Sequence, residues 1–133
     1  MNSAPSFAGL LAQDKAKDLL RRSRQRQRLG HAYLFRGPAG VGKKRGALAF
    51  AAYLNCLAPT EQDACGECTS CRKFRSGNHP DFQVILPEGA AIKISQIRAL
   101  KQTLSFPPLE ARCRVVLLAD VQTMRREAAN SLL

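Results

Sequence analysis

No stretch of this sequence approaches the roughly 20 consecutive apolar residues that span a bilayer, so a helical membrane protein is excluded. The first fifteen residues, MNSAPSFAGLLAQDK, lack both a basic start and a long apolar stretch, so no secretory signal is expected. A cytoplasmic protein without a membrane partner is the resulting expectation. There is no internal repeat or low-complexity tract, and no DNA- or RNA-reading motif stands beside the arginine run RRSRQRQR. Acidic residues are also scarce, with 10 Asp and Glu against 21 Lys and Arg and a formal charge of +11.

What remains is 133 residues that are 45% apolar, enough for one modest domain with one core. The charge is uneven. Residues 1–55 carry 11 basic and 2 acidic residues, whereas residues 56–133 carry 10 and 8. Five arginines fall between Arg21 and Arg28 in RRSRQRQR. Such a run is either a solvated helix face or an attractor of phosphates or of an acidic protein surface.

Apolar spacing and breakers give a coarse layout. A helix is expected over 13–29, with Ala16, Leu19 and Leu20 as its apolar stripe and Gly30 as its stop. HAYLF (31–35) reads as a short strand, residues 37–42 as a glycine loop, and 43–54 as a second helix. Residues 55–80 read as an inserted loop module. DFQVILP (81–87) is a second strand, followed by a helix over 95–104 with Ile94, Ile97, Leu100 and Leu104 at helical spacing. Two prolines in SFPPLEA make a turn. RVVLLAD (114–120) reads as a strand buried on both faces. A last helix begins near Met124 and still adds apolar residues at Leu132 and Leu133, so the chain is expected to be a fragment of a longer protein.

GPAGVGKK (37–44) follows the phosphate-loop pattern G-x-x-x-x-G-K-[ST] at Gly37, Gly42 and Lys43, with Gly40 between. In such a loop, backbone N–H groups and a helix N-terminus cradle the phosphates. The lysine pairs with the β- and γ-phosphates, and a hydroxyl holds Mg²⁺. Here Lys44 replaces that hydroxyl, and an ammonium has no lone pair to offer a metal. The second metal ligand should be an acid at the end of the third strand. Aligned on the aliphatic run, Ala119 occupies that position, and Asp120 follows where a glutamate would polarise water; in the slid register Asp120 takes the metal role and only Val121 follows it. Two failures converge on one ion, so a loop without ATP hydrolysis, and with ATP and Mg²⁺ not expected as working cofactors, is the reading preferred over an active ATPase.

Cys56, Cys65, Cys68 and Cys71 form C-x8-C-x2-C-x2-C. Four thiolates this close suit tetrahedral Zn²⁺ in a structural site with no open position. Disulfides and unligated thiols are the rival readings. Cys113 is expected to be an ordinary buried thiol, and His31 and His79 to be structural.

The loop HAYLFRGPAGVGKK, the cysteine spacing, GNHPDFQVILPEG, IKISQIRALKQTL and RVVLLADVQTMRREAANSLL occur here in one order. That combination, from Phe7 to Leu133, resembles the bacterial DNA polymerase III clamp-loader subunits of the AAA+ class. Lys44 and the degenerate acidic pair resemble the delta-prime type more than the ATP-hydrolysing gamma/tau type. The resemblance implies an α/β fold, a P-loop (RecA-like) parallel sheet flanked by helices, in which residues 1–133 are a partial nucleotide-binding-type domain and residues 55–80 an inserted zinc module. It implies partners: gamma/tau and delta subunits in a five-membered ring, and, through the ring, the sliding clamp and primer-template DNA. It also implies a strand order 5-1-4-3-2, so strand 1 should find no sheet partner within these residues. A zinc-dependent nucleic-acid-binding module, suggested by the basic N-terminal third, remains as an alternative.

Overall fold

The computed structural model describes residues 5–10, 13–27, 29–30, 32–35 and 42–132. They divide into two compact units, Met1–His79 and Pro80–Leu133. Among the described residues there are five α-helices and one two-stranded parallel sheet. No helix among them is long and apolar enough to cross a membrane.

The first unit holds a 3-10 turn at Phe7–Gly9 and three helices: α1 (Asp14–Gln25), α2 (Lys43–Asn55) and α3 (Thr69–Ser76). Helix α2 is rich in alanine, the strongest helix former, and its second half is buried nearly all round, from Ala49 through Asn55. Gly42 precedes it in the left-handed conformation, at φ 97°. Gly46 is buried in its second turn, where an added Cβ would lie 3.2 Å from the Phe35 ring.

Three expectations need correction in this unit. Helix α1 ends at Gln25 rather than at 29, and Gln27 already has φ 55°. Of its expected apolar stripe only Leu20 is buried, while Leu19 is 64% exposed and Ala16 is also exposed. Arg21 and Arg24 supply contacts there instead, each guanidinium lying over an aromatic ring and each Nε donating to a backbone carbonyl. Second, residues 32–35 form no strand. The Gly30 N–H donates to the Tyr33 hydroxyl at 2.8 Å, and the Tyr33 ring packs edge-on against Phe50 at 5.1 Å. These local contacts fix Tyr33 outside any ladder. Third, residues 55–80 are not all loop, because α3 lies among them. Cys68 caps its start and Gly77 ends it at φ 76°.

In the second unit, β1 (Phe82–Ile85) and β2 (Val115–Leu118) pair in parallel, Phe82 opposite Val115 and Ile85 opposite Leu118. This is the expected adjacency of the second and third strands. Helices α4 (Ile94–Leu104) and α5 (Arg126–Leu132) complete the unit. Ile85, Ile92, Ile97, Leu100 and Ala128 form the buried core, with Val116 and Leu118 packed against it. Ile97 and Leu100 are three residues apart, so α4 turns both to one side. Lys93 is the cap residue of α4, and its N–H donates to Gln96 Oε1 at 2.8 Å. Strand β2 is half-buried along its length rather than buried on both faces. Alternation in a strand sends Val116 and Leu118 to the core and Val115 and Leu117 to the opposite side.

Candidate metal centre and phosphate-loop helix

Helix α2 links the two sequence motifs. Lys43 opens it, and Cys56 follows its last residue in extended conformation. The metal-type cysteines therefore begin about 20 Å along the helix from the phosphate-type lysine, at 1.5 Å per residue. Cys65 and Cys68 lie in the next loop, and Cys71 lies in the first turn of α3.

All four sulfurs lie within 4.8 Å of one another. Cys56 Sγ is 3.9 Å from both Cys68 Sγ and Cys71 Sγ. A tetrahedral ion with bonds of about 2.3 Å requires sulfurs about 3.8 Å apart, so the cluster has the dimensions of a four-thiolate metal site. A disulfide is not formed among them. Backbone N–H groups surround the sulfurs. Cys65 N donates to Cys56 Sγ at 3.2 Å, Cys68 N and Glu67 N donate to Cys65 Sγ at 3.3 and 3.4 Å, and Gly66 N donates to Cys71 Sγ at 3.3 Å. Cys68 Sγ receives N–H groups from Leu57 at 3.5 Å and Cys71 at 3.4 Å. Such donors favour a thiolate, the form that binds metal.

The four thiols do not share one electrostatic environment. Burial pushes Cys56 and Cys71 up, because a charged sulfur loses its hydration there. At Cys68 burial pulls the same way, but the Leu57 and Cys71 amides and the neighbouring thiols win, bringing it to about 6. Cys68 sits at the start of α3, where the helix dipole also favours an anion. Cys56 sits at the end of α2, where it does not.

The loop between Cys56 and Cys65 is gripped from outside. Thr60 closes a tight turn, its Oγ1 accepting from Gln62 N at 3.2 Å and Asp63 N at 3.0 Å. Arg21 Nε donates to Gln62 O at 2.7 Å and Gln25 Nε2 to Glu61 O at 2.8 Å. Arg24 Nε donates to Tyr53 O at 3.0 Å, and its guanidinium lies 5.0 Å from the Tyr53 ring centre. Arg21 lies likewise 5.3 Å from the Phe7 ring centre. Two of the five arginines are thus engaged, Arg21 on this loop and Arg24 on α2, while Arg22 and Arg26 are exposed. Spacing alone did not separate the two sets. The signal is that Arg24 and Gln25 stand three and four positions after Arg21, and Arg24 four after the buried Leu20, so they share one helix face.

The remaining site residues are placed as follows. Gly37, Gly40 and His31 lie outside the described residues. Gly42, Lys43 and Lys44 are in place at the start of α2, with both lysines exposed. His79 is buried but stands apart from the sulfurs, with Nε2 3.2 Å from Ser70 Oγ and its ring 4.6 Å from Phe74. Cys113 is half-buried beside the start of β2, and burial raises its thiol. Ala119 follows β2 directly. Asp120 comes next, exposed and at φ 56°, with its carbonyl accepting from Thr123 N at 2.9 Å and Thr123 Oγ1 at 2.7 Å.

Comparison with known proteins agrees with the order of these features. Residues 12–133 match the family described as DNA polymerase III, delta subunit. The chain is 39% identical over 121 residues to DNA polymerase III subunit delta' of Bacillus subtilis, covering 91% of this chain and 36% of that protein. It is 42% identical over 105 residues to the Pseudomonas aeruginosa subunit delta', covering 77% and 32%. It is also 33% identical over 128 residues to subunit tau/gamma of Haemophilus influenzae, covering 96% and 18%. The chain spans about a third of the length of the delta' relatives, at 36% and 32%. With 122 of its 133 residues inside the family match, the chain belongs to the DNA polymerase III delta-subunit family, whose members include delta' and whose further relatives include tau/gamma.

Proposed function

We propose that these residues form the nucleotide-binding-type part of a clamp-loader subunit of the delta-prime type that does not hydrolyse ATP. In this reading residues 1–133 are a partial AAA+ domain and residues 55–80 its zinc module. The subunit works in the cytoplasm, in a ring with gamma/tau and delta subunits. Through that ring it meets the sliding clamp and primed DNA.

Lys44 is the observation that carries the reading. It is the second residue of α2, directly after the lysine expected to meet phosphate. An ammonium there has donors only and adds positive charge where Mg²⁺ would sit. Ala119 offers no carboxylate, and Asp120 lies in a left-handed turn after the strand. Gly37, Gly40, Gly42 and Lys43 are assigned as the surviving anion cradle. Cys56, Cys65, Cys68 and Cys71 are assigned as ligands of one zinc ion. Zinc would supply no chemistry beyond cross-linking, since four protein sulfurs leave no position for water or substrate.

Nucleotide titration of the full-length protein tests this, alone and assembled with gamma/tau and delta subunits. The expected result is no Mg²⁺-dependent gain in ATP affinity and no turnover assigned to this subunit. Tight Mg·ATP binding with turnover by the isolated protein overturns it and favours the ATP-hydrolysing gamma/tau type. Metal analysis should return one zinc per chain.

A further inference from the structure

The loop between the first two cysteines carries a side chain that the metal reading leaves unused. Asp63 turns its carboxylate to the N-terminal segment, while its Oδ1 also accepts from Ala64 N at 2.9 Å. Its Oδ1 accepts from Phe7 N at 3.0 Å and its Oδ2 from Ala8 N at 3.0 Å, 56 and 55 positions earlier in the chain. These N–H groups open a 3-10 turn and would otherwise lack partners. Between them the Phe7 side chain is fully buried, edge-on to Tyr53 at 5.6 Å.

The same segment reaches the far end of α2. Leu10 lies over Gly42, where an added Cβ would come within 3.1 Å of Leu10 Cδ2, and over Gly46, where it would lie 3.8 Å from Leu10 Cδ1. Lys17 Nζ fixes the Leu10 carbonyl at 2.7 Å. A continuous set of contacts therefore runs from Cys56 and Cys65, through Asp63, to Phe7 and Ala8, and then through Leu10 to the first turn of α2.

We propose that Asp63 is a clasp that makes docking of residues 5–10 depend on the closed cysteine cluster, and that Leu10 passes this state to the start of the phosphate-loop helix. The physical basis is short. The 57–64 loop is held closed by the two cysteines that bound it, by the Thr60 turn, and by Arg21 and Gln25 on Gln62 O and Glu61 O, and the cysteine hold is the part that a metal ion would supply. Opened, it no longer presents both Asp63 oxygens to adjacent amides. Without that pairing the Phe7–Gly9 turn is too short to persist. Asp63 is a positioning residue in this scheme, and the scheme rests on the cluster binding metal.

Hydrogen exchange of the full chain, resolved by residue and measured beside zinc content, tests the proposal. In the zinc-loaded protein the Phe7, Ala8 and Gly46 amides are protected. Stripping zinc with a chelator should raise their exchange at least tenfold. Asp63→Asn should do the same for Phe7 and Ala8, and to a smaller degree for Gly46, with zinc still bound one per chain. The Ala49–Tyr53 amides report whether α2 itself has unfolded. If chelation releases every amide together, Asp63→Asn decides. Unchanged Phe7 and Ala8 exchange in zinc-loaded Asp63→Asn overturns the clasp, and unchanged Gly46 exchange overturns the transmission through Leu10. Absence of bound zinc from the wild-type protein refutes the metal reading instead. The Asp63→Asn comparison then still reports on the clasp itself.

Discussion

Asp81 Oδ1 accepts the Leu109 N–H at 2.7 Å, joining the residue before β1 to a turn 28 positions later. Its Oδ2 accepts from Glu110 N and Ala111 N, both at 2.8 Å, and Arg114 Nη2 approaches Oδ1 at 3.7 Å. The carboxylate is almost wholly buried, at 1% exposure. Burial alone would raise its pKa, but the Glu110, Leu109 and Ala111 amides and the Arg114 charge outweigh it and hold the group below its ordinary 3.8.

The consequence is a pH-dependent stability with a defined sign. A carboxyl whose folded pKa lies below its unfolded value binds fewer protons when folded, so its contribution is complete above about pH 4 and is lost as pH falls through the folded pKa. Denaturant unfolding at pH 7 and at pH 2.5 should show this loss in the wild type and a smaller one in Asp81→Asn. At pH 7 the variant should be less stable by about 2–4 kcal/mol, since an amide cannot replace acceptors on both oxygens.

The five cysteines should separate cleanly in thiol and metal assays. Cys113→Ser is expected to keep the full metal content, because Cys113 lies outside the four-sulfur cluster. Cys56→Ser or Cys71→Ser should lose most of the metal, as each removes a buried thiolate. Equal loss in the Cys113 variant would show that the cluster is assigned wrongly.

Two arginines from the same run should behave differently. Arg24→Ala removes the bond to Tyr53 O and the contact with the Tyr53 ring, and should cost about 1–2 kcal/mol in thermal or denaturant unfolding. Arg22 is exposed, and Arg22→Ala should stay within about 0.5 kcal/mol of the wild type. Salt-dependent DNA binding is therefore better probed at Arg22 and Arg26, where folding is not disturbed.

Restoring the metal anchor should need two changes. In the full-length protein, Lys44→Thr alone is expected to leave ATP turnover at background, because Ala119 still provides no carboxylate. Adding Ala119→Asp should raise Mg²⁺-dependent ATP affinity at least tenfold in equilibrium titration. A full gain from Lys44→Thr alone would show that another acid already serves the ion.

Local features were legible in the residues themselves: the helix after the glycine loop for α2, the isoleucine and leucine spacing for α4, the aliphatic runs for β1 and β2, and the short cysteine intervals for the four-sulfur cluster. Each follows from neighbours within a few residues, where periodicity and chain geometry act directly. The tertiary structure decided the rest. A strand is a strand only when another chain segment completes its ladder, so Val115–Leu118 pairs with Phe82–Ile85 while residues 32–35 do not form one. The engagement of Arg24 depended on where Tyr53 lay, and the role of Asp63 depended on amides 56 and 55 positions away. Such contacts join residues that are distant in the chain, and only the folded backbone brings them within hydrogen-bonding reach.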